Sequence, residues 1–366
     1  MGRMDQSSSK CKEEMMPTRN EYIEITKTQM EEWMKGWLGR DPKPVQKLTV
    51  PKFYQNWQGN RDATYNISMD AYAALDLAII SELLNDPFSF QAATGTVKFL
   101  RAWATENQGA GNAEGSLYLV TKGNMFIEAF ELVRNIMNAY DLENFLQWVK
   151  HYYLPECEKL KARWLYPNNQ NCEGWLGFIH GKIALGEDIG PYLKSFTDFV
   201  NTQIDGNTGK LKKEILRTNS GPWYCYAALV AMFRTALLLH REFQISPLAE
   251  VMKGIEWYCR YVKDPDSWPW ILPGTGSNNP FAKVIGWIWK LFFPCSEELQ
   301  KATPTAWPAD LFETLLALEF DPKCMSLEEI NNWLETGQGR PLITGNVFRL
   351  STAVWCRPDG INIYLD

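Results

Sequence analysis

One pattern constrains this chain more than any other: apolar residues return at helical spacing along almost its whole length. They recur at i, i+3, i+4 and i+7 in Gln29–Trp37, Met69–Leu84, Ala92–Thr105, Met125–Ala139, Leu142–Trp164 and Cys172–Leu185. The pattern continues in Ile189–Gln203, Tyr224–Phe243, Leu248–Val262, Ala309–Glu319 and Leu327–Glu335. Tyr72, Leu75, Ile79 and Leu83 are one such stripe. This spacing gives a helix one apolar face, which must be buried against a neighbour. Gly or Pro marks most boundaries, as at Pro87, Gly186, Gly190, Gly221 and Pro265. Helices joined by short loops predict an all-α architecture of antiparallel hairpins. No repeat of fixed length is visible, so a regular solenoid is disfavoured. An incomplete (α/α) toroid fits the pattern, with inter-helix loops converging on a cleft at one end.

Residues 1–18 are polar and read as a disordered tail, and residues 19–340 as the toroid. Residues 341–366 read as an extension packed on it. There Asn346–Trp355 and Gly360–Leu365 are β-prone and flank a turn at Cys356–Gly360, which predicts a small C-terminal β-hairpin. The polar loop Gly274–Pro280 reads as a linker or as a flap over the cleft.

Composition narrows the chemistry. Three His in 366 residues leave little material for a His-based metal site, and no metal or cofactor is expected. The eight Cys are widely spaced with no CxxC pair, which removes zinc ribbons and thioredoxin-type redox motifs. Several lie in apolar helical runs and read as small buried hydrophobes. A net charge of −6 argues against nucleic acid as a partner. It also fits poorly with a polyanionic ligand unless Lys210, Lys212, Lys213 and Arg217 form a local basic patch rather than a solvated face. No apolar run is read as a membrane span, and the polar N-terminus is not a signal peptide as written. A secreted protein with its leader removed and a cytoplasmic one both remain open. A monomer is expected.

Two polar clusters stand at helix starts. The first holds Asn168, Asn169, Gln170 and Asn171, with Trp175 and His180 further along the same helix. The second runs from Glu214 through Arg217 to Trp223, Tyr224 and Tyr226. Carboxamides and an arginine neutralise a carboxylate, and a tyrosine beside a cation can move a proton. Each residue also has a plainer role. Asn168 and Asn169 suit a helix cap, the tyrosines suit the core, and any single Trp is more often core than a sugar platform.

The span from about 64 to 270 resembles the alginate lyase superfamily domain, an (α/α) toroid polysaccharide lyase. The resemblance is carried by Asp70–Ile79 with Phe99–Trp103, by Met125–Val133, and by Asn168, Asn169 and Gln170 where the family has Asn-Asn-His. It continues in Ile204–Gly209 leading to Glu214 and Arg217, in Tyr224 opening the next helix, and in Asp264–Trp270. The resemblance implies β-elimination on a uronic-acid polymer such as mannuronan, alginate or glucuronan. It assigns Asn169, Gln170 and Arg217 to carboxylate neutralisation and Tyr224 to proton transfer. Asn168, Asn171, Glu214, Trp175, His180, Trp223 and Tyr226 become substrate-binding candidates. Gln170 departs from the family's His and cannot act as a base near neutral pH. Tyr224 is then expected to take and return the proton on one face of the sugar. Two other readings compete: a glycoside hydrolase or sugar epimerase, with Glu173 and Glu214 as carboxylates, and a non-catalytic uronan-binding protein.

Overall fold

A computed structural model describes residues 19–53, 55–162, 168–216, 221–263 and 311. The tail, the C-terminal hairpin, the Gly274–Pro280 loop, Asp264–Trp270, Arg217 and the two last expected helices lie outside this set, apart from Leu311, which is helical and buried.

The described chain is helical. Its elements are α1 (Arg19–Leu38), α2 (Trp57–Leu83), α3 (Phe88–Glu106), α4 (Ala113–Val133) and α5 (Ala139–Trp148). They continue as α6 (Leu154–Lys161), α7 (Asn169–Ala184), α8 (Gly190–Gln203), α9 (Gly221–Phe243) and α10 (Leu248–Lys263). No strand forms among the described residues, which hold two isolated bridge pairs, Leu48–Ala110 and Ile204–Leu211. Asparagines start several helices. Asn56, Asn112, Asn138 and Asn168 cap α2, α4, α5 and α7, each accepting a backbone N–H of the first turn.

The contacts fix how the helices run. Tyr118 donates to Asn60 (2.8 Å) and Lys122 to Tyr72 (3.0 Å), so α4 runs parallel to α2. Gly177 faces Val120 while His180 meets Asn124, so α7 runs parallel to α4. Arg234 pairs with Glu128 and Arg241 lies near Glu131, so α9 follows the same direction. The row α2, α4, α7, α9 therefore consists of parallel neighbours. The segments between them return antiparallel. Trp103 and Thr96 of α3 bond Asp70 and Ala74 of α2. Cys157 and Leu154 of α6 face Gly177 and Gly181 of α7. Tyr192 and Phe196 of α8 pack on Phe178 and Trp175, and Gly254 and Tyr258 of α10 on Leu229 and Tyr226.

Two local devices set these positions. Between α5 and α6 the chain makes a π turn at Val149–Tyr153. Pro155 follows it and has no N–H for the ladder, and a wide turn absorbs the gap. The α6–α7 approach depends on glycine. A Cβ at Gly174 would stand 2.4 Å from the backbone N of Lys161, and one at Gly177 2.6 Å from the Tyr153 hydroxyl. The other end of the fold is tied by Asp70, fully buried in α2. It accepts from Arg40 Nε (2.8 Å), the Lys43 N–H (2.7 Å) and Trp103 Nε1 (3.0 Å).

By length and composition alone Trp223–Phe243 is long and apolar enough to cross a membrane. In this fold 83% of its most apolar stretch is buried, as a core helix requires.

Candidate functional site at the starts of α7 and α9

The two polar clusters of the sequence meet at Glu214. The chain reaches it through a tight loop after α8. Asp205 Oδ1 accepts the N–H groups of Asn207 (3.2 Å) and Thr208 (2.9 Å) and the Thr208 hydroxyl, which holds its carboxyl below the usual carboxylate range. Gly209 takes φ of 73°, and a Cβ there would meet Lys253 O at 2.1 Å, so the turn needs glycine on both counts. The Lys212 N–H then returns to Gln203 O (2.8 Å). This places Glu214 in a short 3-10 turn, Glu214–Leu216, with the residue 1% exposed.

Glu214 Oε1 accepts the Asn169 N–H in a very short contact at the first turn of α7. Burial first, and the Glu214 charge second, push the thiols of Cys172 and Cys225 well above their usual range. These residues sit in the opening turns of α7 and α9, so Glu214 lies between the two helix starts. Trp223 and Tyr224 are half-buried there, as are Asn169 and Gln170. The Asn169 Oδ1 atom is buried without a hydrogen-bond partner.

The other candidates divide. Asn168 and Asn171 hold the helix start: Asn168 accepts from the Gln170 N–H, and Asn171 Oδ1 accepts from the Asn168 N–H, both at 2.9 Å. Asn171 Nδ2 also reaches Leu160 O and Lys161 O, fastening α7 to α6. Trp175 lies in an aromatic cluster with Phe178, Phe196 and Phe199, and Lys161 Nζ stands 4.7 Å from its ring. Tyr226 is fully buried between Trp223 and Tyr258. His180 is buried, with Nδ1 2.8 Å from Asn124 Oδ1 and Nε2 3.3 Å from Glu131 Oε2.

Sequence reasoning missed a charged seam inside the row of parallel helices. Tyr72 of α2, Lys122 and Glu128 of α4, Glu173 of α7 and Arg234 of α9 meet there. Lys122, Glu128, Glu173 and Arg234 are all nine-tenths buried. Burial raises the Glu173 carboxyl to about 7, against the pull of Arg234 and Lys122. The available signal was charge within apolar stripes: Lys122 follows Leu119 and Val120, and Arg234 sits between Phe233 and Leu237. Of these residues only Glu173 was considered, as a hydrolase carboxylate.

Among the described residues no group of three His, Cys, Asp or Glu is placed to hold a metal, and Cys157, Cys172, Cys225 and Cys259 are buried thiols outside any disulfide.

No protein-family model and no curated sequence matches the chain.

Proposed function

We propose that this chain is a polysaccharide lyase that cleaves a uronic-acid polymer by β-elimination. The observation that carries the reading is the meeting of the α7 and α9 starts around Glu214, with Asn169, Gln170 and Tyr224 half-buried beside it. The parallel row with its antiparallel returning segments supports the finer architecture, an incomplete (α/α) toroid whose cleft opens at those helix starts.

In this reading the carboxamides of Asn169 and Gln170, with Arg217, hold the uronate carboxylate. Fixed donors there stabilise the negative charge that develops on it when the adjacent C–H is broken. Asn169 Oδ1, buried without a partner, is free to accept a sugar hydroxyl. Glu214 fixes the backbone of α7 at that point and leaves proton transfer to Tyr224. The Tyr224 phenolate removes the C5 proton, the electron pair forms the C4–C5 double bond, and the C4–O bond breaks. The same proton then goes to the leaving glycosidic oxygen. One group acting on one face suits mannuronate or glucuronate better than guluronate.

Glu173, with its carboxyl near 7, favours a hydrolase as the second reading, since a general acid needs that range. Its burial, under the influence of the Arg234 and Lys122 charges, with Glu214 bonded to the α7 backbone, weighs against two carboxylates flanking a sugar. Incubation with mannuronan, alginate and glucuronan separates the readings. A lyase releases a product with conjugated ultraviolet absorbance, a hydrolase only reducing ends, and a binding protein neither. Tyr224→Phe is expected to lower turnover on the order of 10²–10⁴-fold with binding retained. Near-parental turnover in that variant removes Tyr224 from the mechanism.

A further inference from the structure

The C-terminal half of α1 carries a groove that the helix starts above do not use. It measures about 360 Å³ and is lined by Glu32, Trp33, Gly36, Trp37 and Arg40. These positions share one helical face, continued just past the end of α1. The volume lies at the lower end of the ~300–1,000 Å³ range of small-ligand sites. α1 packs on α2 and α3, at the opposite end of the parallel row from α9.

Three features make this more than a gap between side chains. First, Gly36 is exposed, and a Cβ placed on it meets nothing within 4 Å. Among the described residues no packing contact requires glycine in that turn, where it weakens the helix relative to Ala. Its missing side chain is what leaves the groove open. Second, the groove has a fixed aromatic wall. Trp37 Nε1 donates to the buried Asp76 at 2.8 Å, and Trp33 is half-buried beside it. Third, the Arg40 guanidinium is held at one end by Asp70, while its Nη2 atom is buried without a hydrogen-bond partner. A buried N–H of that kind favours an acceptor strongly.

Two indole side chains, a fixed guanidinium donor and the exposed Glu32 carboxylate match one ligand shape. A pyranose ring has an apolar C–H face for stacking and a rim of hydroxyls that both donate and accept. We propose that this groove is a glycan-binding subsite for one pyranose residue of a polysaccharide, with the ring on Trp33 and Trp37 and its oxygens between Arg40 and Glu32. The site binds without chemistry and stands independently of the lyase reading.

The test is calorimetric titration of the full chain with cello-oligosaccharides and with glucuronan oligosaccharides, in the parent and in Gly36→Leu and Trp33→Ala. Leucine fills the groove and suits a helix better than glycine, so Gly36→Leu is expected to keep or raise the melting temperature. Both variants are expected to lose at least tenfold in affinity. Equal loss for both oligosaccharides means the ring is read. Loss confined to the glucuronan series means Arg40 selects the carboxylate. Either supports the subsite. Undiminished affinity in both variants places binding elsewhere and overturns the proposal, as does a parent that binds neither series. A lowered melting temperature in Gly36→Leu means that the chain itself occupies the groove, and also overturns it.

Discussion

Glu173→Gln is expected to stabilise the fold at alkaline pH, by an amount that shrinks as pH falls. Burial raises the Glu173 carboxyl from 4.5 to about 7, with Arg234 and Lys122 already pulling it down. The folded state thus holds this proton more tightly than the unfolded chain does. Stability from this group is greatest below the unfolded value near 4.5, declines as pH rises towards 7, and is level above that. At 1.36 kcal/mol per unit, the ionised carboxylate destabilises the fold by roughly 3 kcal/mol above pH 8. Glutamine has nearly the same shape and no charge to bury. The variant should therefore exceed the parent by roughly 3 kcal/mol at pH 8.5, and by about 1–1.5 kcal/mol at pH 5.5. The assay is urea denaturation of both proteins across that range. Every other titration is common to the pair and cancels in their difference. A gap that stays constant with pH, or a parent more stable throughout, would refute the account of Glu173 as a carboxyl ionised against its surroundings.

Three further outcomes follow from contacts described above. Gly174→Ala forces a Cβ against the Lys161 backbone and should destabilise by about 2 kcal/mol or more, read from the denaturation midpoint; an unchanged midpoint would mean that α6 and α7 are not so close. Asp70→Asn removes the counter-charge of Arg40 from a fully buried position and should lower stability by about 3–5 kcal/mol, so a loss under about 1 kcal/mol would contradict Asp70 as the tie between α2, α3 and the segment after α1. Glu214→Gln keeps the shape but weakens the bond to the α7 backbone, and faster hydrogen exchange at the Asn169 amide is expected, with about 1–2 kcal/mol lost; full protection of that amide would separate Glu214 from the helix start.

The all-α class was legible because apolar stripes need only local sequence. Boundaries were legible where a stripe and a punctuating residue coincide, as at Gly190 and Leu248. The start of α2 was missed because its first turns, from Trp57, are polar, and the start of α4 at Ala113 was missed although Leu119 and Val120 already lie in its apolar stripe. The expected helix Leu142–Trp164 hid a π turn, because one extra residue per turn barely disturbs an apolar count. Among site residues, a cap was legible at Asn168 and Asn169; the fold uses Asn168, starts the helix at Asn169, and closes the capping box with Asn171, which carried no such reading. The charged seam was illegible for a different reason. Glu128 and Arg234 satisfy each other across two helices far apart in sequence, and a single sequence does not say which helices will be neighbours.

The shared direction of α2, α4, α7 and α9 has an electrostatic consequence. Aligned peptide dipoles leave about half a positive charge at each helix start and half a negative charge at each end. Four starts gather at one end of the row. Their caps on α2, α4 and α7 are neutral Asn56, Asn112 and Asn168, and the first turns of α2, α7 and α9 hold no acidic residue. The returning α3, α6, α8 and α10 finish at this same end and bring their negative carbonyls to it. The backbone field there is a step, positive along one row and negative along the other, and at α7 and α9 the buried Glu214 carboxyl lies between the starts and offsets part of the positive side. The net charge of −6 therefore says little about what this face attracts. The backbone contribution is short in reach and weakens within about 10 Å at 0.1 M salt.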